Sequence, residues 1–590
     1  MRGTNSSTGH ILGLSYNYHD AAAVLLRDGK LVAASTEERH TRKKHDSNFP
    51  ERAIAACLGS GGITSKDLDW VAYYEQPLVK FGRILETSAR HWLNGGRASL
   101  RSAVDSWARK GKFEVREQIA HALERPADRI LFCDHHLSHA ASAYFCSPFD
   151  RATVITLDGV GEWETGTISA AIGNAIRKRL SIKLPDSLGL FYSVMTAFLG
   201  FEVNEGEYKV MGMAGFGQPV FADQMQSWFK LRRDGSFSVR RDLLNHATGE
   251  RSIPVLLDAL GPSRAPESSF DPNDNSADFG SSRHYANVAA SVQAVTENVV
   301  EHVARAAIQK TGIPVLCMAG GVALNSAANQ RLRRVFGVPM FVQPAAGDAG
   351  GALGAAKWLY HVKLAGTARD PLTSAAWGSN YSRDAMLTDL RSVYRDEWKE
   401  FDDEDAFISA VADLLANEKV VGWFHGRSEW GPRALGYRSI LASPCKPEMQ
   451  GIVNEKIKFR EPFRPFAPAV LAERASEFFE LIDIPGEDSE SGPYNFMLAV
   501  CKVRSEVAAL IPAVTHVDGT ARVQTVRSGS NRAFYRLIKA FEARTGVPVL
   551  LNTSFNLRGE PIVETPRDAI NTFEWSGMDA LAMGRFLVRK

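Results

Sequence analysis

His135 and His139 stand four residues apart in a run of small helix-forming residues that follows the apolar stretch Ile130 to Cys133. On a helix, positions i and i+4 share a face about one turn apart, so these two imidazoles can address one ion while His136 points elsewhere. Asp134 stands where an N-cap belongs. Histidines that only cap or pack a helix would show the same spacing. Two acids at comparable strand ends favour ligation: Asp158 follows the apolar run Thr153 to Leu157, and Asp348 sits among small residues after Pro339 to Val342. His135, His139, Asp158 and Asp348 then make a mononuclear site whose mixed nitrogen and oxygen donors suit iron(II), manganese or zinc rather than calcium. An octahedral ion with four protein ligands keeps two positions for a phosphate or a substrate oxygen, and can serve as Lewis acid and template.

A second kind of chemistry lies in the cations. The first polar loop carries His19 and Asp20, and the charged run from Glu37 to Asp46 carries Lys44. Such a run is commonly a solvated face, but between two strands at a cleft His19 and Lys44 can accept a hydroxyl proton or polarise a carbonyl. Lys209 lies among glycines that include Gly212, a composition that suits a loop over a nucleotide or a packing turn. Gly320, Gly321 and Asn325 fall between a strand and a helix, where a backbone can approach a nucleotide closely, or where a turn simply packs tightly. Between Arg427 and Arg464 there are five Arg and three Lys against four Glu, an excess of +4 on loops punctuated by proline and glycine. Guanidinium forks match phosphate oxygens in pairs, so a polyphosphate pocket is expected there rather than a surface patch. The turns His516 to Arg522 and Asn552 to Pro561 add amides, hydroxyls and further arginine.

The elements that must position these groups are visible in the patterning. The chain opens with a buried strand, Ile11 to Tyr16, a polar loop, and a second apolar run meeting Asp28-Gly29, a strong hairpin signal. The same order recurs from Thr153 through Asp158-Gly159 to Ile172 and a strand near Leu180 to Ile182, which predicts an internal duplication. Paired units of this kind build the actin-like ATPase and sugar-kinase architecture, with the polar loops facing each other across a cleft. Residues 78–129 predict a helical insertion, 254–283 a loop or lid edge, and 285–311 a long amphipathic helix ending at Gly312. Residues 363–382 have the composition of a linker, which places an α/β domain at 1–372 and a second α/β domain at 373–590.

A chain of 590 residues is expected to form about two to four folding units. Its net charge of +2 argues against a dedicated nucleic-acid binder, and six scattered cysteines without a CxxC pair indicate a reducing compartment. Met1 to His10 reads as a frayed tail without the apolar segment of a signal peptide, and no stretch of about 18 apolar residues exists to span a bilayer. A cytoplasmic protein without a membrane or nucleic-acid partner is expected.

HHLSHAASAY (135–144), LDGVGE (157–162), EGEYKVMGMA (205–214), AGGVALN (319–325), GDAGGALGAA (347–356), WGPRALGYRSILA (430–442), KFREPFRPFAP (458–468), HVDGTAR (516–522) and LNTSFNLRGEP (551–561) together resemble the O-carbamoyltransferases of the nodulation-factor, cephamycin and tobramycin type. The resemblance runs in order over nearly the whole chain. It implies an actin-like N-terminal domain similar to the threonylcarbamoyl-transfer enzymes, and a YrdC-like C-terminal domain that makes carbamoyl adenylate from carbamoyl phosphate and ATP with Mg. The N-terminal domain then passes the carbamoyl group to an alcohol of a small-molecule natural product, such as an antibiotic.

By the same resemblance, His135, His139, Asp158 and Asp348 hold iron(II) against the adenylate phosphate, and His19 and Lys44 work at transfer. Gly159, Lys209, Gly212, Gly320, Gly321 and Asn325 line the adenylate site of the N-terminal domain. Arg427, Arg433, Lys458, Arg460, Arg522, Asn552, Ser554 and Arg558 bind carbamoyl phosphate and ATP in the C-terminal domain. Gly215-Phe216-Gly217 departs from the proline and tyrosine that many members carry there. The alternatives are an actin-like nucleotide-binding scaffold and a mononuclear iron enzyme of another class; a homodimer is the expected assembly.

Overall fold

The computed structural model describes residues 9–243 and 253–590, apart from 275, 277, 396 and 462. Of the tail expected at Met1 to His10, residues 1–8 lie outside the described residues. The opening pattern forms β1 (His10–Ser15), β2 (Ala22–Arg27) and β3 (Lys30–Thr36), paired antiparallel. Asp28 and Gly29 both take positive φ, 49° and 80°, as the tight hairpin requires. Two parallel strands, β4 (Leu68–Tyr73) and β5 (Ile130–Phe132), complete a sheet of order β3-β2-β1-β4-β5.

A second sheet repeats this order. β6 (Arg151–Leu157), β7 (Glu164–Ile172) and β8 (Ala175–Lys183) pair antiparallel, and the strands Leu316–Ala319 and Met340–Val342 add parallel to β6. The polar loops after β1 and β6 thus hold equivalent places at the carboxyl ends of central strands. These loops carry His19 and Asp158.

Two helices meet between the sheets because their contact face lacks side chains. A Cβ on Gly354 in the Asp348–Trp358 helix would stand 1.7 Å from the Ser138 carbonyl oxygen of the His135–Tyr144 helix, and one on Gly13 of β1 would stand 2.0 Å from the Ala352 carbonyl. The small residues of GDAGGALGAA therefore set a close approach that brings Asp348 beside the two histidines.

The insertion is helical, with helices at Pro77–Arg90, Arg97–Arg109 and Val115–Leu123. The long helix spans Ser282–Thr311 and ends at Gly312 with φ 69°. The segment expected to be loop from 254 onward differs at its start, where Ile253–Leu260 is a helix. Pro254 falls in the first turn, where a missing N–H costs nothing, and Leu256 and Leu260 are buried.

The last part of the chain builds an eight-stranded mixed sheet. Its strand order is Trp398–Glu400, Phe586–Arg589, Ala580–Met583, Val421–Phe424, Arg438–Ala442, Val549–Ser554, Ala467–Leu471 and Gln524–Val526. One apolar core lies on this sheet, and another on the first sheet. A third core joins the parts: Leu435, Tyr437 and Phe463 pack with Leu157, Met213 and Ala346. Between residues 364 and 382 there is no helix or strand segment, but the Ala34 N–H donates to the Trp377 carbonyl at 2.9 Å, tying the linker to β3. No helix among the described residues is long and apolar enough to cross a membrane.

Candidate active site

The histidine helix is capped from a distance. Asp134 holds the N-cap position, but its side chain makes no cap bond; instead Glu162, at the end of the loop after β6, accepts the His135 N–H at 3.0 Å and the Gln76 N–H at 2.8 Å. A carboxylate there complements the helix dipole and ties the helix to the loop that carries Asp158. Sequence patterning finds the N-cap position at Asp134 but misses the carboxylate that caps it, because Glu162 acts across 27 residues.

His135 Nε2 lies 3.0 Å from Asp158 Oδ2 and 3.2 Å from His139 Nε2. His139 Nε2 lies 3.5 Å from both Asp158 Oδ2 and Asp348 Oδ1. One donor atom from each of the four falls within 4.8 Å of the others. Metal bonds of about 2.0–2.2 Å put neighbouring donors about 3 Å apart, so the set fits one ion. Nδ1 of both rings is buried without a partner, leaving the polar contacts of both rings turned on the cluster. Burial opposes charge here, yet Asp158 and Asp348 raise His139 to about 9. Against the same burial, the histidines hold both carboxylates below their ordinary range. His136 is turned away, as the spacing predicts: its ring nitrogens meet Thr156 Oγ1 at 2.8 Å and the Glu164 carbonyl at 2.9 Å, and burial pushes it down to about 3.

His19 stands next to the cluster. Its Nδ1 meets Asp20 Oδ2 at 3.0 Å, and its Nε2 lies 3.8 Å from Asp348 Oδ2. Burial works to lower it, but Asp20 and Asp348 outweigh that and raise it to about 10. Lys44 pairs with Glu205. Asp20, Glu38 and His45 form a further convergent group that the sequence patterning did not single out.

These groups share one cavity of about 1520 Å³ with the arginine-rich loops. Its walls include His19, Lys44, Asp158, Gly159, Lys209, Gly212, Gly321, Asn325 and Asp348 from the first part of the chain. From the last part they include Arg433, Lys458, Arg460, Arg522, Asn552, Ser554 and Arg558. His135 and His139 lie beneath this wall, nearly without exposure.

Arg433, Arg460 and Arg522 have no ion-pair partner among the described residues, and Arg433 Nε, Arg460 Nη2 and Arg522 Nε are buried without hydrogen bonds. Burial pushes Arg433 down to about 10 and, with Arg464 nearby, Arg460 to about 9; Arg522 is lowered by burial and by the other two. Guanidinium groups keep their protons in proteins, so this pressure is unbalanced positive charge that an anion relieves. Lys458 donates to the carbonyls of Ser554 and Asn556 at 2.7 and 2.8 Å, and burial together with Arg460 and Arg464 pushes it well below its usual value. Asn552 Nδ2 donates to Gln524 Oε1 at 2.8 Å, and Ser554 Oγ to Asn556 Oδ1 at 2.7 Å. At the mouth, Lys209 meets Glu461 at 3.4 Å and Arg558 meets Glu267. Arg464 Nη1, which sequence reasoning left out of the site, donates to Tyr208 Oη at 3.1 Å on this wall.

Two expected site residues belong elsewhere. Arg427 is not on the cavity: it spends its guanidinium on the carbonyls of Gly378, Val32 and Trp377 at 2.9, 2.9 and 2.8 Å. It fastens the linker to β3. Gly320, with φ 91°, serves packing rather than the cavity wall, since a Cβ there would stand 2.3 Å from the Leu157 carbonyl.

This fold and site define an α/β enzyme that sets a pocket of unpaired cations beside a histidine and carboxylate cluster. Residues 10–357 match the family model for the carbamoyltransferase N-terminus and residues 412–590 that for the carbamoyltransferase C-terminus, and the chain belongs to the carbamoyltransferase family. It is 37% identical to Nodulation protein NolNO of Sinorhizobium fredii, over 97% of this chain and 79% of that one. It is 42% identical to the uncharacterized protein sll1178 of Synechocystis, over 98% of this chain and 97% of the other. Among solved structures, HypF of T. kodakarensis covers 61% of this chain and 49% of its own at 14% identity and a TM-score of 0.33, a likeness too slight to argue from.

Proposed function

We propose that the protein is an ATP-dependent O-carbamoyltransferase that makes carbamoyl adenylate at the arginine wall and transfers its carbamoyl group beside the histidine cluster. The observation that carries this is the shared cavity, whose walls hold Arg433, Arg460 and Arg522 together with Asp158 and Asp348, the carboxylates of the cluster. Its volume of about 1520 Å³ exceeds the roughly 300–1,000 Å³ that one small ligand needs. A carbamoyl–phosphate anhydride is destroyed by water, and a cavity shared by both steps shortens its exposure.

The atoms balance as follows. Water splits carbamoyl phosphate into carbamate and phosphate; a carbamate oxygen attacks the α-phosphorus of ATP, and pyrophosphate leaves. An acceptor hydroxyl oxygen then attacks the carbamoyl carbon, the bond to AMP breaks with its electron pair, and the hydroxyl proton passes to His19. Lys44 would polarise the carbamoyl carbonyl once Glu205 gives it up. His135, His139, Asp158 and Asp348 would hold a divalent ion, iron(II) by donor set with manganese or zinc as alternatives, which supplies positive charge for the leaving phosphate. With the charge of Asp348 so taken up, one of the carboxylates that raise His19 is offset, the direction a base requires, while Asp20 still holds its Nδ1.

The repeated strand order supports an actin-like domain at 1–372; residues 373–590 would be the YrdC-like domain. Magnesium would accompany ATP, and the acceptor would be a small natural-product alcohol met in the cytoplasm. Incubation with ATP and labelled carbamoyl phosphate, with and without added metal, tests the proposal. Pyrophosphate release should require carbamoyl phosphate. Release that is indifferent to it would sink the adenylate route.

A further inference from the structure

The helix Pro77–Arg90 is turned inside out. Its buried face carries Lys80, Arg83 and Ser88, while Leu78 and Leu85 face solvent, Leu78 being 67% exposed. The inward cations are occupied: Lys80 pairs with Glu75 at 2.6 Å, and Arg83 donates to the Gly161 carbonyl at 3.1 Å. The hairpin it forms with the Arg97–Arg109 helix is held by a small aromatic core, in which Phe81 lies 4.9 Å from Trp107 and 4.8 Å from Phe113 between ring centroids. At the bend, Trp92 is 49% and Leu93 95% exposed. Seven of the 21 exposed large apolar side chains among the described residues lie between residues 78 and 113. Chance scatter does not concentrate a third of them there, and such patches mark interaction surfaces.

We propose that this hairpin lies on an anionic lipid surface. The charges around the apolar stripe choose that occupant: Arg90, Arg97, Arg101, Arg109 and Lys110 are exposed against Glu86, Asp105 and Glu114. Apolar side chains flanked by arginines are the composition of helices that rest in the headgroup region. A second copy fits less well, because a two-fold contact through this face would set Arg97 and Arg101 against a like-charged patch. Lying on a bilayer needs no spanning segment, so the expectation of no membrane partner, drawn from the lack of one, does not bear on this surface. The inner side of the hairpin meets the loop bearing His19: Lys112 Nζ donates to the Asn17 carbonyl, and Lys80 Nζ sits 4.9 Å over the Tyr18 ring. Docking would therefore hold that loop close to the lipid surface.

The test is flotation of the full chain with vesicles of phosphatidylglycerol and phosphatidylcholine, against phosphatidylcholine alone, at low and high salt. Binding should need phosphatidylglycerol and weaken with salt. Leu78→Ser and Leu93→Ser should each lower partitioning about tenfold, and Arg97→Gln with Arg101→Gln about 30-fold on anionic vesicles. All of these variants should keep wild-type carbamoyl adenylate formation, because none touches the cavity. Failure to bind phosphatidylglycerol at low salt overturns the proposal, as does equal binding to phosphatidylcholine alone or binding untouched by the leucine substitutions. A wild-type dimer that Leu93→Ser converts to monomer in sedimentation would assign the face to a second copy instead.

Discussion

Replacing Arg522 with methionine should make the protein more stable and less able to bind nucleotide. Arg522 lies on the cavity wall with Arg433 and Arg460 as its electrostatic neighbours and no ion-pair partner among the described residues. Exchanging buried ion pairs for apolar side chains of similar volume is neutral or gains about 1–4 kcal/mol in other proteins, and Arg522 lacks, among the described residues, even the partner that offsets burial in such pairs. Arg522 keeps part of its surface open to the cavity, which puts the gain in the lower part of that range, about 1–2 kcal/mol. For 590 residues unfolding together, an unfolding entropy of about 2.1 cal/mol/K per residue makes 1 kcal/mol worth about 0.8 °C, so the midpoint of thermal unfolding should rise by about 1–2 °C. Saturating ATP acts the other way: at a hundredfold excess over Kd it stabilises a binding-competent protein by about 2.7 kcal/mol. The unliganded variant should therefore melt above wild type, and the order should reverse when ATP is added. Scanning calorimetry with and without ATP reads both effects. A variant that melts lower than wild type without ATP, or that gains as much from ATP as wild type does, would refute the view of Arg522 as an uncompensated anion anchor.

His139→Ala should leave carbamoyl-phosphate-dependent pyrophosphate release within about twofold of wild type while abolishing transfer to the acceptor, because the ring lies among the cluster's donors and not on the arginine wall. Equal loss of both half-reactions would show that the two sites do not act separately. In chelator-treated protein, His139 at about 9 lies above its ordinary 6.5, so its bridges to the carboxylates are complete below pH 6.5 and fade as pH rises through 9. Urea midpoints should fall over that window and climb instead when the ion is restored, since ligation releases protons. Arg427→Ala should destabilise the chain by about 2–4 kcal/mol by taking the donor from the Gly378 and Val32 carbonyls, Trp377 keeping the Ala34 N–H, with no change in ATP affinity by calorimetric titration.

Much of the site was readable because its rules are local. The spacing of His135 and His139 fixes a shared face, and Asp158 and Asp348 follow apolar runs that have to end at a sheet edge. The departures arise where a partner is distant. Arg427 carries the same composition signal as Arg433, and only the carbonyls of Val32 and Trp377 show that it is a fastener. Asp134 holds the N-cap position, while Glu162 supplies the capping carboxylate through a fold-level contact. The helical insertion was visible in its helix formers, whereas its inverted faces were not. Periodicity records which residues share a side, and tertiary context decides which side is inward.

The core joining Leu435, Tyr437 and Phe463 to Leu157 and Ala346 has a consequence for anyone dividing this chain. A fragment beginning near residue 373 would carry half of an apolar interface into solvent and lose the strap at Arg427. Recombining the front of one family member with the back of another would mate two unmatched half-cores. The two halves match separate family models and yet share one folding core.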